Sequence, residues 1–350
     1  MNDHRTDLKG MTPDELALFI TSLGKEKYRT KQLLSWIYAR GVSDFEKMSD
    51  LSREFREQLS RIARVSAVEE VGRRISEDGT TKFLFQLEDG LKIESVLIRE
   101  DPRRTVCLSS QVGCALGCAF CATGKMGFTR NLTSAEIVDQ LIAVRRSEES
   151  ITNVVLMGMG EPLLNYDNVL KAVRLMNLEM GISIGMRKIT LSTSGIVPAI
   201  ERLAREGLQM GLAISLNARD ENTRTRLMPI NRRYPLAELL SAVRKYGRTT
   251  RRRVTFEYIL ISGVNDNAED AEALVGLLRD IPCKINLIPL NPVAGNGLER
   301  PAPERIERFR SFLLSHHFTV PLRESKGRNI AAACGQLRAE GYRSETETPV

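Results

Sequence analysis

Apolar positions recur along the chain with two different periods, and the change of period divides it. In the first sixty-odd residues they fall at helical spacing. Leu16, Phe19, Ile20 and Leu23 stand at i, i+3, i+4 and i+7, one face of a helix. Before them, Thr12-Pro13-Asp14-Glu15 has the spacing of a capping box, with proline at the first helical position. Leu33, Trp36 and Ile37 make a second such face, and Phe55, Leu59 and Ile62 a third, so residues 1–68 are expected to form a small helical module. The strings 81–87 and 92–98 flank Glu88-Asp89-Gly90, a hairpin signature, and 69–103 is expected as a β-hairpin extension. From 104 to 340, short apolar runs at 105–109, 153–157, 188–192, 210–216, 254–261, 284–289 and 318–323 alternate with amphipathic stretches. One of these stretches opens on another capping box, Thr133-Ser134-Ala135-Glu136. Continuous apolar strands separated by helices predict a parallel sheet covered on both faces. About six βα units predict an α/β fold, a full or partial barrel, with its site at the C-terminal strand ends. Residues 341–350, with the polar run from Arg343, are expected to be disordered.

Composition adds three constraints. No run approaches the roughly 18 apolar residues of a membrane-spanning helix, and Met1-Asn2-Asp3-His4-Arg5 is too polar for a secretory signal. A soluble, cytoplasmic protein is expected. Six cysteines in 350 residues without such a signal point to metal or redox chemistry rather than a disulfide scaffold. The net charge of +7 alone describes an ordinary basic enzyme, but its distribution says more. Arg224, Arg226, Arg232 and Arg233 fall together, as do Arg248, Arg251, Arg252 and Arg253. Guanidinium clusters suit phosphate oxygens, so a polyanionic substrate is expected.

Cys114, Cys118 and Cys121 form C-x-x-x-C-x-x-C just after the first strand of the expected barrel. A structural zinc site wants four ligands, usually as two pairs, and no second pair exists: Cys283 and Cys334 are isolated, and His4, His316 and His317 lie far off. Three thiolates suit a [4Fe–4S] cube with one iron left open, and Gly113 and Gly117 let the backbone wrap closely. The pattern resembles the radical SAM enzymes. That resemblance implies a radical SAM barrel of partial (β/α)6, TIM-like form. It also implies that the amine and carboxylate of S-adenosylmethionine (SAM) chelate the open iron, and that an electron cleaves SAM to a 5′-deoxyadenosyl radical. Val154-Val155-Leu156-Met157-Gly158-Met159-Gly160-Glu161-Pro162 resembles the SAM-amine motif of that superfamily, with glycines for close approach and Glu161 as acceptor. By the same resemblance Ser192, Ser215, Leu216, Asn217 and Asn291 would line the SAM site.

Wider strings narrow the family. Cys107-Leu108-Ser109-Ser110-Gln111-Val112-Gly113-Cys114, Gly124-Lys125-Met126-Gly127-Phe128 with Arg130-Asn131-Leu132, Gly158 to Leu163, Leu227-Met228-Pro229-Ile230-Asn231 and Ala332-Ala333-Cys334-Gly335-Gln336-Leu337 together resemble the dual-specificity RNA adenine methyltransferases, the RlmN and Cfr family. The match runs through nearly the whole chain. It implies that one SAM methylates the sulfur of Cys334 and that a second yields the radical that takes hydrogen from the S-methyl group. The carbon radical then adds to carbon 2 of adenine. Cys107 attacks Cys334, forming a transient disulfide that releases the base. By motif position Glu94 would be the base for the C2 proton, although a glutamate on a hairpin is ordinarily a solvated edge charge. The implied substrates are 23S ribosomal RNA at the peptidyl-transferase centre and tRNA at the adenosine 3′ of the anticodon. The implied partner is an electron donor such as flavodoxin or ferredoxin, and the expected state is a monomer.

The nearest alternative is methylation at carbon 8, the antibiotic-resistance branch; Pro162 after Glu161 favours carbon 2. A protein-directed radical activase would need neither Cys107 nor Cys334, and a non-catalytic iron–sulfur RNA binder would not cleave SAM. In one place the chain departs from the family pattern: Asn217 stands where histidine is usual.

Overall fold

The structure is a computed structural model that describes residues 4–148, 150–293 and 295–339; the expected tail at 341–350 lies outside the described residues. Its centre is a nine-stranded sheet whose strands lie side by side in chain order. They are β1 (Glu69–Ile75), β2 (Thr81–Gln86), β3 (Lys92–Glu100), β4 (Arg103–Cys107), β5 (Asn153–Leu156), β6 (Ile189–Thr193), β7 (Gly211–Ser215), β8 (Val254–Leu260) and β9 (Cys283–Pro289). Strands β1 to β4 form an antiparallel meander, and β4 to β9 are parallel. Strand β4 belongs to both halves: Cys107 pairs with Val96 on one side and Val155 on the other. The extension is therefore continuous with the barrel sheet.

The hairpin expectation names two strands and misses β1. None of its residues is buried, four of the seven are charged, and a bulge interrupts it between Glu70 and Gly72, so no buried apolar alternation marks it. The expected strand at 318–323 is reduced to one bridge, Leu322 to Leu287, flanked by bonds from Ile285 N–H to Thr319 O and from Arg323 N–H to Leu287 O. Pro321 has no N–H to continue a ladder. Among the described residues nothing closes the ring, and the barrel is partial.

Side chains alternate along the parallel strands. Leu191, Leu212, Ile214, Phe256 and Tyr258 point outward into a buried layer beneath the helices. Thr190, Ser192, Gly211, Ala213, Ser215 and Thr255 hold the other face and are small or polar. Barrel interiors are ordinarily filled by branched apolar chains. Here the lumen keeps a cavity of about 810 Å³.

The helical module contains α1 (Pro13–Ser22), α2 (Arg29–Leu34), which runs into a π-helical turn at Ser35–Ala39, and α3 (Arg53–Ile62). Both bonds of the capping box form: Glu15 N–H reaches Thr12 Oγ1 at 3.2 Å and Thr12 N–H reaches Glu15 Oε2 at 2.7 Å. The module is tied to α4 (Ser134–Arg145), the first barrel helix, by a buried ion pair between Lys9 and Asp139. Asp139 also accepts from Val68 N–H at 2.5 Å, and Ser134 Oγ donates to Gly10 O. Removing one member of such a pair strands the other charge. Asp139→Ala is expected to lower the unfolding free energy by about 3–5 kcal/mol, and Lys9→Met with Asp139→Leu to cost less than that single change, by denaturant unfolding.

Candidate active site

Beyond Cys107 the chain leaves β4 and builds the cysteine loop. Gln111–Gly113 pairs with Phe128–Asn131, a two-stranded ribbon that closes the loop at its base. Gly113 has φ +74°, and a Cβ there would stand 1.9 Å from Gly127 O, the carbonyl that accepts from Cys114 N–H at 2.7 Å. Only glycine fits. Leu116, Phe120, Leu227, Met228, Ile261 and Leu290 wrap Cys114 and Cys118 in a small apolar cluster. Burial pushes the Cys114 thiol up to about 12 and raises Cys118 too, and in both the charge of Cys121 adds to the effect. The three thiols thus lie within electrostatic range of one another in a dry site, which a polynuclear cation would relieve. Among the described residues no three Cys, His, Asp or Glu side chains are placed to hold one metal ion. A cube asks something different, one iron per thiolate, and the donor set fits it.

The rim beside the loop is made by the ends of β5 to β9. Gly158 and Gly160 are required by packing: Cβ atoms there would stand 2.6 Å from Leu108 O and 2.5 Å from Gln111 Cβ. Glu161 is buried, its Oε1 accepting from Leu163 N–H at 3.0 Å and its Oε2 from Ser194 N–H at 2.7 Å. It ties the end of β5 to the end of β6, and burial raises its pKa. Ser192 faces the lumen and donates to Glu257 Oε2 at 2.9 Å. Asn217 takes the left-handed conformation at φ 60°, which asparagine tolerates better than most residues. Its Oδ1 accepts from Ile259 N–H at 2.9 Å and its Nδ2 donates to Met228 Sδ, so the side chain joins β7 to β8. Asn291 donates to Cys334 O at 3.1 Å, while its Oδ1 is buried without a hydrogen-bond partner. That orphan acceptor is a vacancy for a ligand's donor and fits an adenine amino group.

Arg224 departs from expectation. It is fully buried, with Nη2 donating to Ser194 O at 2.7 Å and Ser215 O at 3.3 Å, Nε to Leu216 O, and Nη1 to Asn231 Oδ1 at 2.8 Å. Burial pulls its pKa down to about 10. It pins the exits of β6 and β7 and offers nothing to an external phosphate. Arg226, Arg232 and Arg233 remain exposed near this rim. The second arginine cluster lies at the opposite end, since Arg251 to Arg253 immediately precede β8.

The C-terminal segment completes the site. It recrosses the cysteine loop, with Ala122 N–H donating to Gly335 O and Thr123 Oγ1 to Leu337 O, each at 2.7 Å. Gly335 has φ +82°, and a Cβ there would meet Phe120 O at 3.0 Å. Cys107 and Cys334 consequently line one cavity. Burial pushes the Cys107 thiol up to about 12, with the Cys334 charge as the next cause, and raises Cys334 as well. Arg323, missed by the sequence reading, lines the same cavity 3.7 Å from Glu257 and opposes that rise at both sulfurs. Glu257 could have been noticed as a carboxylate inside an apolar strand.

Glu94 is not an edge charge. It is fully buried, 2.9 Å from Lys82 Nζ, and accepts from Arg338 N–H at 2.8 Å. It shares a face of β3 with Val96, the residue opposite Cys107, so it stands diagonally from that cysteine, a separation of roughly 7–8 Å between strand positions. Burial raises its pKa and the Lys82 charge partly offsets this. Cys283 is buried at the start of β9.

Residues 108–275 match the Radical SAM superfamily, and residues 6–65 match the ribosomal RNA large subunit methyltransferase N-terminal domain. The dual-specificity RNA methyltransferase RlmN of Geobacter sulfurreducens is 50% identical over 97% of this chain and 93% of its own length. A probable RlmN of Moorella thermoacetica is also 50% identical, over 95% of this chain and 97% of its own. Among solved structures, a radical SAM methyltransferase from Sphaerobacter thermophilus superposes with a TM-score of 0.92 at 46% identity, covering 96% of this chain and 100% of that one. The buried role of Arg224 separates it from its exposed neighbours. Arg224→Met is expected to cost about 2–4 kcal/mol by anaerobic denaturant unfolding, because it strands buried carbonyls, whereas Arg226→Met stays within about 0.5 kcal/mol of the parent.

Proposed function

The chain belongs to the RlmN family of radical SAM RNA methyltransferases, and from that premise we propose that it methylates carbon 2 of adenine in 23S ribosomal RNA and in tRNA, at the adenosine 3′ of the anticodon. The observation that carries this reading is that Cys107 and Cys334 line one cavity beside the cysteine loop, with Glu94 on the same face. A [4Fe–4S] cluster on Cys114, Cys118 and Cys121, with SAM along Gly160, Glu161, Ser192, Ser215, Leu216, Asn217 and Asn291, supplies when bound a methyl group and a hydrogen-abstracting radical. Two SAM molecules are used per methylation, one for each task.

The residues answer a specific chemical problem. Carbon 2 of adenine is electron-poor and cannot displace a methyl group from a sulfonium. The sulfur of Cys334 can, and it becomes the carrier. Once its S-methyl group has lost a hydrogen atom, the carbon bonds to the base, and the adenine is tethered to Cys334. Glu94 accepts the C2 proton, and the adduct's unpaired electron passes to a one-electron acceptor such as oxidised flavodoxin or ferredoxin, leaving a closed-shell thioether. The Cys107 thiolate then attacks the Cys334 sulfur; the S–S bond forms, the S–C bond breaks, and the methylated base leaves with a proton on the new methyl carbon. Both adenines must be unstacked to reach the rim, where exposed Arg226, Arg232 and Arg233 hold phosphates. A flavodoxin or ferredoxin donates the electron, and the enzyme acts as a cytoplasmic monomer. No helix among the described residues is long and apolar enough to cross a membrane.

Anaerobic reconstitution with iron and sulfide, followed by reaction with methyl-labelled SAM and each RNA, is expected to yield 2-methyladenosine on nucleoside mass spectrometry. Finding 8-methyladenosine instead overturns the carbon assignment. Cys334→Ala is expected to give no methylated base, and Cys107→Ala to leave RNA covalently attached to the protein.

The pH profile tests Glu94 separately. A carboxyl whose pKa is raised by burial acts as a base only above that raised value, so single-turnover methylation should rise with pH beyond the ordinary carboxylate range. Lys82→Met removes the charge that opposes the rise, and the limb should move to higher pH. A limb that stays put, or moves down, removes Glu94 from this role.

A further inference from the structure

We propose that the barrel lumen is a second entrance, open at the N-terminal strand ends, through which a small anionic thiol reaches and reduces the Cys107–Cys334 disulfide. The inference rests on the disulfide step above and concerns how the enzyme is reset after each turnover.

One cavity of about 810 Å³ is lined by Cys107 and Cys334 and also by Arg103, Asn153 and Lys284, which belong to the opposite ends of their strands. It is continuous because Thr190, Gly211, Ala213 and Thr255 stand where a filled barrel would carry branched apolar chains. Its volume falls in the range of small-molecule sites and is far too small for a protein reductant. The other approach to the sulfurs, from the rim, is narrowed where the cysteine loop and the segment around Gly335 are bonded together at that end. RNA held at the rim would cover it further. A reductant entering from the floor need not wait for the RNA to leave.

The charge of the floor selects the reductant. Arg103, Arg187, Arg253, Lys284 and Lys326 line the cavity, against Glu100 and Glu324. An excess of cations around a low-dielectric passage concentrates anions. Within the lumen Arg323 opposes the burial that holds both thiols protonated, and so favours cysteine sulfur as a leaving thiolate. The chemistry balances with two equivalents of a small thiol. The first thiolate attacks one cysteine sulfur, giving a mixed disulfide and one free cysteine thiolate. The second attacks the external sulfur of the mixed disulfide, releasing the oxidised small disulfide and the other cysteine. Two electrons pass to the protein, and the two thiol protons end on Cys107 and Cys334.

The test starts from cluster-loaded protein treated anaerobically with a mild thiol oxidant, with the Cys107–Cys334 bond verified by peptide mass spectrometry. Its reduction is then timed with mercaptoethanesulfonate, mercaptoethanol and cysteamine. Each rate is corrected for thiolate fraction and for the reagent's rate with an unfolded peptide disulfide. The anionic reagent is expected to be faster than the cationic one by about tenfold at low ionic strength, with the gap closing in salt. Arg187→Glu with Lys284→Glu should reverse the order. Ala213→Leu and, independently, Thr255→Leu should slow all three reagents by about tenfold, the order expected when access is restricted.

Equal corrected rates for the three reagents overturn the proposal, as does unchanged reduction in a lumen-filled variant that keeps its cluster absorbance. If both filled variants fail to fold, the charge order in the parent protein decides alone. If the oxidant never joins Cys107 to Cys334, the disulfide step itself falls and the entrance falls with it, an outcome distinct from a disulfide that forms and is reduced without charge preference.

Discussion

Hydrogen bonds hold the segment around Cys334 against the cysteine loop, and almost every feature of the site depends on that contact. The Ala122 N–H and the Thr123 hydroxyl, just after Cys121, bond to the carbonyls of Gly335 and Leu337. Asn291 holds the Cys334 carbonyl from the end of β9. The antiparallel extension supplies a clamp. Lys82 on β2 donates to Ala331 O at 3.3 Å, and Glu94 on β3 accepts from Arg338 N–H, so the two members of one buried ion pair grip the segment on either side of the cysteine. Strands β1 to β3 therefore do more than widen the sheet. They set where a sulfur far along the chain meets one at the end of β4.

The lumen shows what the fold gives up to make this arrangement. A packed barrel draws stability from layers of branched side chains inside it. Here much of the inner face is small or polar, although Val155, Met157 and Ile288 also line it, and a separate apolar layer lies outside, where Leu191, Leu212, Ile214 and Phe256 meet the helices. The rim is held by polar ties instead of bulk. Glu161 bonds the β5 exit to the β6 exit, Arg224 pins β6 and β7, and Asn217 joins β7 to β8. Each bonds two strand ends together, so the rim is fixed before any ligand arrives, which is what a site that must orient a reactive cofactor requires.

Periodicity made most of this framework legible. The three helical faces, both capping boxes, the hairpin turn and the six parallel strands could be read from spacing alone, because burial on one face or both leaves a repeating mark. The exceptions have separate causes. Strand β1 has no buried residue, so it leaves no such mark, and Pro321 breaks a run whose composition otherwise suits a strand. Arg224 shows the limit of reading charge from sequence. Its neighbours Arg226, Arg232 and Arg233 are exposed, yet Arg224, two residues from Arg226 on the same short helix, is wholly enclosed. The glycines at 158 and 160 carry a related lesson, since both answer to the backbone of Leu108 to Gln111. The C-x-x-x-C-x-x-C loop was plain in sequence because its chemistry needs close spacing, whereas the meeting of Cys107 and Cys334 was reachable only through family resemblance.

Proton handling within the pocket follows from these placements. Burial holds the Cys107 thiol protonated, yet the proposed release step needs its thiolate. Burial likewise raises Glu94, which must begin as a carboxylate. Each is therefore accompanied by a cation: Lys82 lies beside Glu94, and Arg323 acts on Cys107 and Cys334 together. The two cations differ in kind. Lys82 stands at hydrogen-bonding distance and stabilises one localised charge, while Arg323 is shared among two sulfurs and Glu257. The guanidinium acts on both sulfurs, more strongly on Cys334 than on Cys107, and so serves a pair in which each cysteine must be nucleophile at one stage and leaving group at another. Glu257 keeps the arrangement from tipping too far, because its negative charge raises both thiols and offsets part of what the arginine lowers.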